Sequence, residues 1–214
     1  MTRQPPSFDQ AFLDQFEQLL IWRRDVRRFL RDPIDPALVE KLLAMACLAP
    51  SVGNAQPWRF VTVDEPARRE AVRENFVACN AEALNDYSGE RAKMYASLKL
   101  SGMDDAPVHV AVFSDHETPA GLGLGRKTMP ETLDYSVVSA IHTLWLAARI
   151  HGLGVGWVSI VEPQTVRAIL DVPESWTLVA YLCIGKPVEE SDEPELIRFG
   201  WQGREDFSSL VIRR

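Results

Sequence analysis

Cysteine is scarce in this 214-residue chain: Cys47, Cys79 and Cys183 are odd in number and show no CxxC spacing. That pattern excludes a disulfide framework and suits reduced thiols in a cytoplasmic setting, with buried structural roles expected for all three. Histidine is equally sparse. His109, His116, His142 and His151 are scattered and unpaired with cysteine, which argues against a metal site. Long apolar runs are missing as well. No stretch could span a membrane, and the first residues carry no apolar h-region behind a basic start. Positive charge is in deficit, with 23 Lys and Arg against 30 Asp and Glu, net −7, so a general nucleic-acid binder is not expected. Gly121, Gly123 and Gly125 alternate, but they lack the GxGxxG spacing and the strand-to-helix turn of a dinucleotide fingerprint.

What is present is apolar residue at useful spacings. With 46% hydrophobic content the chain can bury one large core, and a single domain over residues 1–214 is expected. A mobile arm over about 1–10 and an extended tail over about 188–214 flank it. Phe8, Phe12, Leu13, Phe16, Leu19, Leu20 and Trp22 recur at three- and four-residue intervals, the pattern of an amphipathic helix. Asp35-Pro36 starts a second helix, as N-cap and first helical residue. Further helices are predicted over 66–83, 91–100, 131–151 and 163–170, and strands over 58–63, 108–114, 154–160 and 177–184. The helix over 131–151 is apolar on nearly every face, so it should be buried. Helices and strands mix without a regular βαβ rhythm. This predicts an α+β fold, a mixed sheet of about four strands around a buried central helix.

One stretch runs against the overall charge. Five arginines fall between Arg23 and Arg31 with a single acid, Asp25, among them. Guanidinium groups grip phosphate in a bidentate fork, so the cluster is a candidate anion site. At helical spacing Arg23 and Arg27 share one stripe, and Arg24, Arg28 and Arg31 another. On charge alone, a solvated basic face explains it as well.

Three passages shift that balance: Arg23-Arg24-Asp25-Val26-Arg27-Arg28-Phe29, the loop Ala49-Pro50-Ser51-Val52-Gly53-Asn54-Ala55-Gln56-Pro57-Trp58, and Ile184-Gly185-Lys186-Pro187. With them the chain resembles the FMN-dependent nitroreductase superfamily over roughly residues 15–187. The resemblance implies a nitroreductase-like, homodimeric fold that binds FMN. It implies cofactor contacts from Arg23, Arg24, Asp25, Val26, Arg27, Ser51, Asn54, Leu100 and Ser159. Arg204 in the tail is a further candidate for the phosphate.

The chain departs from the general pattern at Asp25, where such proteins usually carry serine. A carboxylate beside the ribityl hydroxyls and phosphate makes sense if a base is needed there. The Arg-Arg-Asp-Val-Arg form is similar to one branch of the superfamily, as are Met103-Asp104-Asp105-Ala106-Pro107 and the run Gly154 to Ile160. Members of that branch consume reduced FMN and O₂, fragment the flavin, and release 5,6-dimethylbenzimidazole, the lower ligand of cobalamin, with erythrose 4-phosphate. The resemblance then implies catalytic roles for Asp25 and Ser159. It also implies a separate flavin reductase as electron source, so that NAD(P)H acts only indirectly. Asp25 as a plain salt-bridge partner and Ser159 as a strand serine are the alternatives. At the level of function the alternatives are an NAD(P)H-dependent nitroreductase or flavin reductase, and a non-catalytic FMN-binding protein.

Overall fold

Asp9 opens helix α1 (Gln10–Trp22) by accepting the Phe12 N–H on its carboxylate at 2.9 Å. The computed structural model describes residues 4–214, so the first three residues of the expected arm lie outside the described residues. The apolar stripe of α1 forms as expected, yet none of its residues is buried; Phe12, Leu13, Phe16 and Leu20 face outward. The arginines are not helical. Arg23 already has extended dihedrals, and the run that follows pairs with strands instead. The two helical arginine stripes are therefore corrected to an extended segment.

Helix α2 (Pro36–Ala46) is capped by Asp35, which accepts the Ala37 N–H at 2.9 Å. The loop after it delivers the chain into β1 (Trp58–Thr62), followed by α3 (Pro66–Leu84) and α4 (Gly89–Ser97). Then come β2 (Val108–Asp115), α5 (Thr132–Ile150), β3 (Gly154–Val158), α6 (Pro163–Leu170) and β4 (Trp176–Gly185). The tail carries two single-turn helices, α7 (Glu195–Arg198) and α8 (Phe207–Leu210). No helix among the described residues is long and apolar enough to cross a membrane.

The fold is α+β, with the four strands in the order β1-β2-β4-β3. The sheet expected to be mixed is antiparallel at every strand pair; the one parallel pairing is an isolated bridge from Asp25 to Val155. Both faces of the sheet are covered. Along β2, Val110 and Val112 pack toward α2 and α5, while Ala111 and Phe113 pack toward α3 and α6, as the two-residue period requires. Helix α5 is central but not enclosed. Tyr135, Val138 and Ile150 lie exposed along one side, and nine of the 19 residues are buried, so the expectation of burial on nearly every face is corrected. Of the three cysteines only Cys183 is buried, its thiol pushed up to about 12 by burial; Cys47 is exposed and Cys79 half-buried.

Strand β3 lies at the sheet edge, and residues 25–30 close that edge. Val26 N–H donates to Val155 O at 3.0 Å, Leu30 N–H to Lys186 O at 2.8 Å, and Val188 N–H returns to Arg28 O at 3.0 Å. Phe29 sinks into the core between them. Two glycines make the approach possible. A Cβ on Gly156 would stand 2.1 Å from Val26 O, and one on Gly102 would stand 2.2 Å from the Phe29 ring. The Gly156 contact cannot be relieved by a flexible side-chain tip, because it faces backbone. Gly156→Ala is therefore expected to cost about 1–3 kcal/mol, the usual range for overpacking, and to release the arginine segment from the edge. Denaturant unfolding checks the first effect. An unchanged midpoint would mean the segment is not held by β3.

Candidate functional site

Extended backbone at residues 23–28 sends neighbouring side chains to different sides, which separates the five arginines into different jobs. Asp25 sits at the centre of the segment. Its Oδ1 accepts the Trp157 N–H at 2.9 Å, an edge donor of β3 that would otherwise go unused, and its Oδ2 pairs with Arg27 Nε at 2.8 Å. Arg27 also donates to Lys99 O at 3.2 Å, which ties the segment to the stretch after α4. On the other side, Trp145 of α5 donates its indole N–H to Arg24 O at 3.1 Å, and the Arg23 guanidinium lies over the Trp145 ring at 4.9 Å.

Three arginines are neutralised. Arg27 pairs with Asp25, Arg28 with Glu195 of α7 at 2.5 Å, and Arg31 with Asp105 at 2.9 Å. Arg23, Arg24 and Arg204 have no carboxylate within 4.0 Å among the described residues. All three line one cavity of about 160 Å³ with Asp25, Arg27, Pro194, Glu195 and Leu196. The Arg24 Nε–H is buried without a hydrogen-bond partner. Burial lowers the pKa of both Arg23 and Arg24, and the charge of Arg204 lowers them further; Asp25 works the other way on Arg23, as does Asp192 on Arg24. Unpaired cations that repel one another around an orphaned buried donor require an anion. A phosphate monoester fits that requirement.

Asp25 keeps 30% of its side-chain surface exposed, yet the surrounding protein atoms desolvate it enough to raise its pKa. The Arg27 charge and the hydrogen bonds from Trp157 N–H and Arg27 oppose that rise without cancelling it. A carboxyl shifted upward beside an anion site has the character of a general base or acid.

The structure thus gathers Arg23, Arg24, Asp25, Val26 and Arg27, and adds Arg204. Leu100 lies close by, half-buried against the cluster that holds Val26 and Phe29. Ser159 does not sit in a strand, as the expectation over 154–160 had it. Strand β3 stops at Val158, and Ser159 is exposed two residues beyond the amide that Asp25 accepts. Ser51 and Asn54 are elsewhere. Ser51 Oγ accepts the Gln56 N–H at 3.1 Å, and Asn54 has left-handed φ of 57°. Their loop is pinned at the start of α5, where Val52 N–H donates to Ser136 Oγ at 3.0 Å. Arg24 is pinned at Trp145, nine residues along the same helix, about 13 Å away at 1.5 Å per residue. The cavities that Arg23 and Arg24 line include neither Ser51 nor Asn54.

Trp145, Trp157 and Glu195 belong to the site and were not singled out by sequence reasoning. Trp145 read only as core, and Trp157 contributes a backbone amide, which leaves no trace in residue type. Glu195 carried a faint signal, an acid in a tail without periodicity.

Residues 20–186 match the nitroreductase family. A curated protein of Rhodospirillum rubrum called 5,6-dimethylbenzimidazole synthase is 58% identical over 212 residues, 99% of this chain and all of that one. Oxidized iodotyrosine deiodinase, solved with FMN and 3-iodo-L-tyrosine, superposes with a TM-score of 0.71 at 23% identity over 92% of this chain and 97% of that one. A BluB-like flavoprotein from Clostridium difficile gives 0.70 at 20% identity over 93% and 98%. These two solved structures share the fold.

The raised pKa of Asp25 has a consequence for stability. The folded chain holds this proton more tightly than the unfolded chain, so the contribution of Asp25 is greatest below its ordinary value of 3.8. It is lost as pH rises through the elevated folded value. The stability of the parent relative to Asp25→Asn should therefore fall from about pH 4 upward, read by denaturant unfolding at stepped pH. A difference that grows with pH would show that Arg27 outweighs burial.

Proposed function

The chain belongs to the nitroreductase family, and on that premise we propose that it fragments reduced FMN with O₂, releasing 5,6-dimethylbenzimidazole, the lower ligand of cobalamin, and erythrose 4-phosphate. The observation that carries the reading is the 58% identity to a protein of that synthase name along its whole length. The site supports it. FMN ends in a phosphate monoester, and the Arg23, Arg24 and Arg204 cavity asks for such a group.

Bound reduced flavin supplies the electrons for O₂ and is itself the substrate. The protein's part is to bind, orient and move a proton. Arg23, Arg24 and Arg204 would hold the phosphate, and Asp25, Val26 and Arg27 would meet the ribityl chain. Asp25, with its pKa raised by burial, takes a proton there; Trp157 N–H and Arg27 keep its carboxylate aimed. Ser159, outside any strand, and Leu100 would meet the flavin ring. Electrons reach the flavin through a separate reductase, so NAD(P)H does not act on this chain directly. The expected setting is the cytoplasm.

A second copy completes the site. Within one chain, Ser51 and Asn54 stand about 13 Å along α5 from the point that holds Arg24. The exposed stripes of α1 (Phe12, Phe16, Leu20) and α5 (Tyr135, Val138, Ile150) offer apolar surface for an isologous pairing. That pairing brings the partner's loop to the arginine cavity. A dimeric mass by light scattering at micromolar concentration is expected, and a monomer would remove Ser51 and Asn54 from the site.

The decisive assay incubates the protein with chemically reduced FMN in air and follows flavin absorbance and products. Loss of the isoalloxazine with appearance of 5,6-dimethylbenzimidazole is expected. Intact FMN with NAD(P)H turnover would favour an ordinary nitroreductase, and neither outcome a passive flavin binder. Asp25→Asn keeps an acceptor for Trp157 N–H and removes the basicity. Product should then fall at least about 100-fold, the lower end for a general base, while FMN binding survives. Product at close to the parent rate would leave Asp25 as a structural partner of its arginines.

A further inference from the structure

The tail does not simply trail past the arginine cavity. Trp201 packs edge-on against Tyr87, with ring centroids 5.6 Å apart, and against Tyr95 at 6.2 Å; Tyr87 and Tyr95 stack on each other at 4.9 Å. The Arg91 guanidinium lies over the Trp201 ring at 5.8 Å. Tyr95 is buried and its hydroxyl donates to Asn80 Oδ1 at 2.8 Å, so the tyrosine pair is fixed to both α3 and α4. Upstream, Trp201 N–H donates to Leu196 O at 2.8 Å. Downstream, every residue from Gln202 to Leu210 is exposed. Trp201 is therefore the last anchor before Arg204.

Three residues of chain reach at most about 10 Å. With Trp201 clasped, Arg204 is confined to a small volume beside Arg23 and Arg24; released, it sweeps through solvent. Arg204 makes no ion pair or hydrogen bond of its own among the described residues that would keep it there. The clasp also connects to the other side of the cavity, since α4 leads directly to Lys99, whose carbonyl accepts from Arg27.

We propose that Trp201 is a positioning residue: its seat on Tyr87 and Tyr95 holds Arg204 against the phosphate of FMN, coupling the tail and the α3–α4 pair to flavin affinity. This rests on the reading of the arginine cavity as the phosphate site. The repulsion that Arg204 exerts on Arg23 and Arg24 agrees with a guanidinium held near both.

Anaerobic titration of the full-length chain with reduced FMN and with reduced riboflavin, which lacks the phosphate, tests it. Arg24→Ala serves as the control for the phosphate site. Arg204→Ala should weaken FMN roughly 10–100-fold, the worth of a charged hydrogen bond, and leave riboflavin unchanged. Trp201→Ala should produce the same FMN-selective loss, and Trp201→Phe should restore most of it. The Trp201→Ala/Arg204→Ala double variant should bind FMN no worse than either single one, because both remove the same contact. Tyr87→Leu attacks the clasp from its other side and should reproduce the loss even where a Trp201 variant folds poorly. Equal losses for FMN and riboflavin, no loss in Trp201→Ala, or a double variant that multiplies the single effects would overturn the clasp. If Arg24→Ala and Arg204→Ala both leave FMN affinity untouched, the phosphate site itself is wrong, a failure separate from that of the clasp.

Discussion

One hydrogen bond organises the site: Trp157 N–H to Asp25 Oδ1. A sheet-edge amide needs an acceptor, and here a side chain supplies it where a fifth strand would have used its backbone. That substitution lets residues 23–30 run past β3 with only sparse backbone pairing, Val26 to Val155 on β3 and then Arg28 and Leu30 to Val188 and Lys186 just beyond β4. The segment keeps extended geometry, and its side chains splay to opposite sides. Trp145 holds the Arg24 carbonyl from α5, while Phe29 drops through the space left by Gly102. Remove the acceptor oxygen and the segment loses its central pin, leaving Val26, Phe29 and the Trp145 indole to hold it.

Electrostatics follow from that placement. The chain is acidic overall, and several arginines find a carboxylate close by, among them Arg28 with Glu195, Arg31 with Asp105, Arg198 with Glu189 and Arg149 with Glu190. Surface pairs of this kind add little stability individually. Their more definite effect is local. Arg28–Glu195 ties the tail to the arginine segment and Arg149–Glu190 ties it to α5, while Arg23, Arg24 and Arg204 stay without a carboxylate partner among the described residues. Three unpaired guanidiniums at one cavity in a chain of net charge −7 make a local positive field of the kind that suits a compact anion.

Much of this was readable before any coordinates. Asp35-Pro36 announced α2 because N-cap chemistry and proline at the first turn are local signals, and β2 and β4 showed as short apolar runs. The arginine segment is legible in its charge but not in its conformation. Helical spacing fits almost any dense run of arginine, and what decides is a strand edge more than a hundred residues away. The mixed sheet was a similar misreading, since strand direction depends on connections that local pattern does not carry. Apolar character continues to Ile160 and so extends the sequence pattern past the strand; Val158 still pairs with Tyr181 on β4, and Ser159 is the first residue without a partner there. Backbone donors such as Trp157 N–H are invisible to any residue-type argument. So is the Trp201 clasp, whose partners Tyr87 and Tyr95 lie in a stretch of weak periodicity.

The two readings of Asp25, structural pin and proposed base, use the same atoms and pull its pKa in opposite directions. Holding Trp157 N–H and Arg27 stabilises the carboxylate, which suits a pin and makes a poor base. Burial under the arginine segment does the reverse, and burial is the larger effect. Serine at this position could hold an amide but could not carry the charge that pairs with Arg27. The carboxylate therefore brings to this strand edge two things a hydroxyl lacks: a fixed aim, set by two donors on its separate oxygens, and an elevated proton affinity next to the cavity proposed for phosphate. A pin with its pKa raised is a base already oriented. In the proposed reaction the structural role is thus part of the chemical one, because the interactions that lock the segment in place also decide where the proton can be taken.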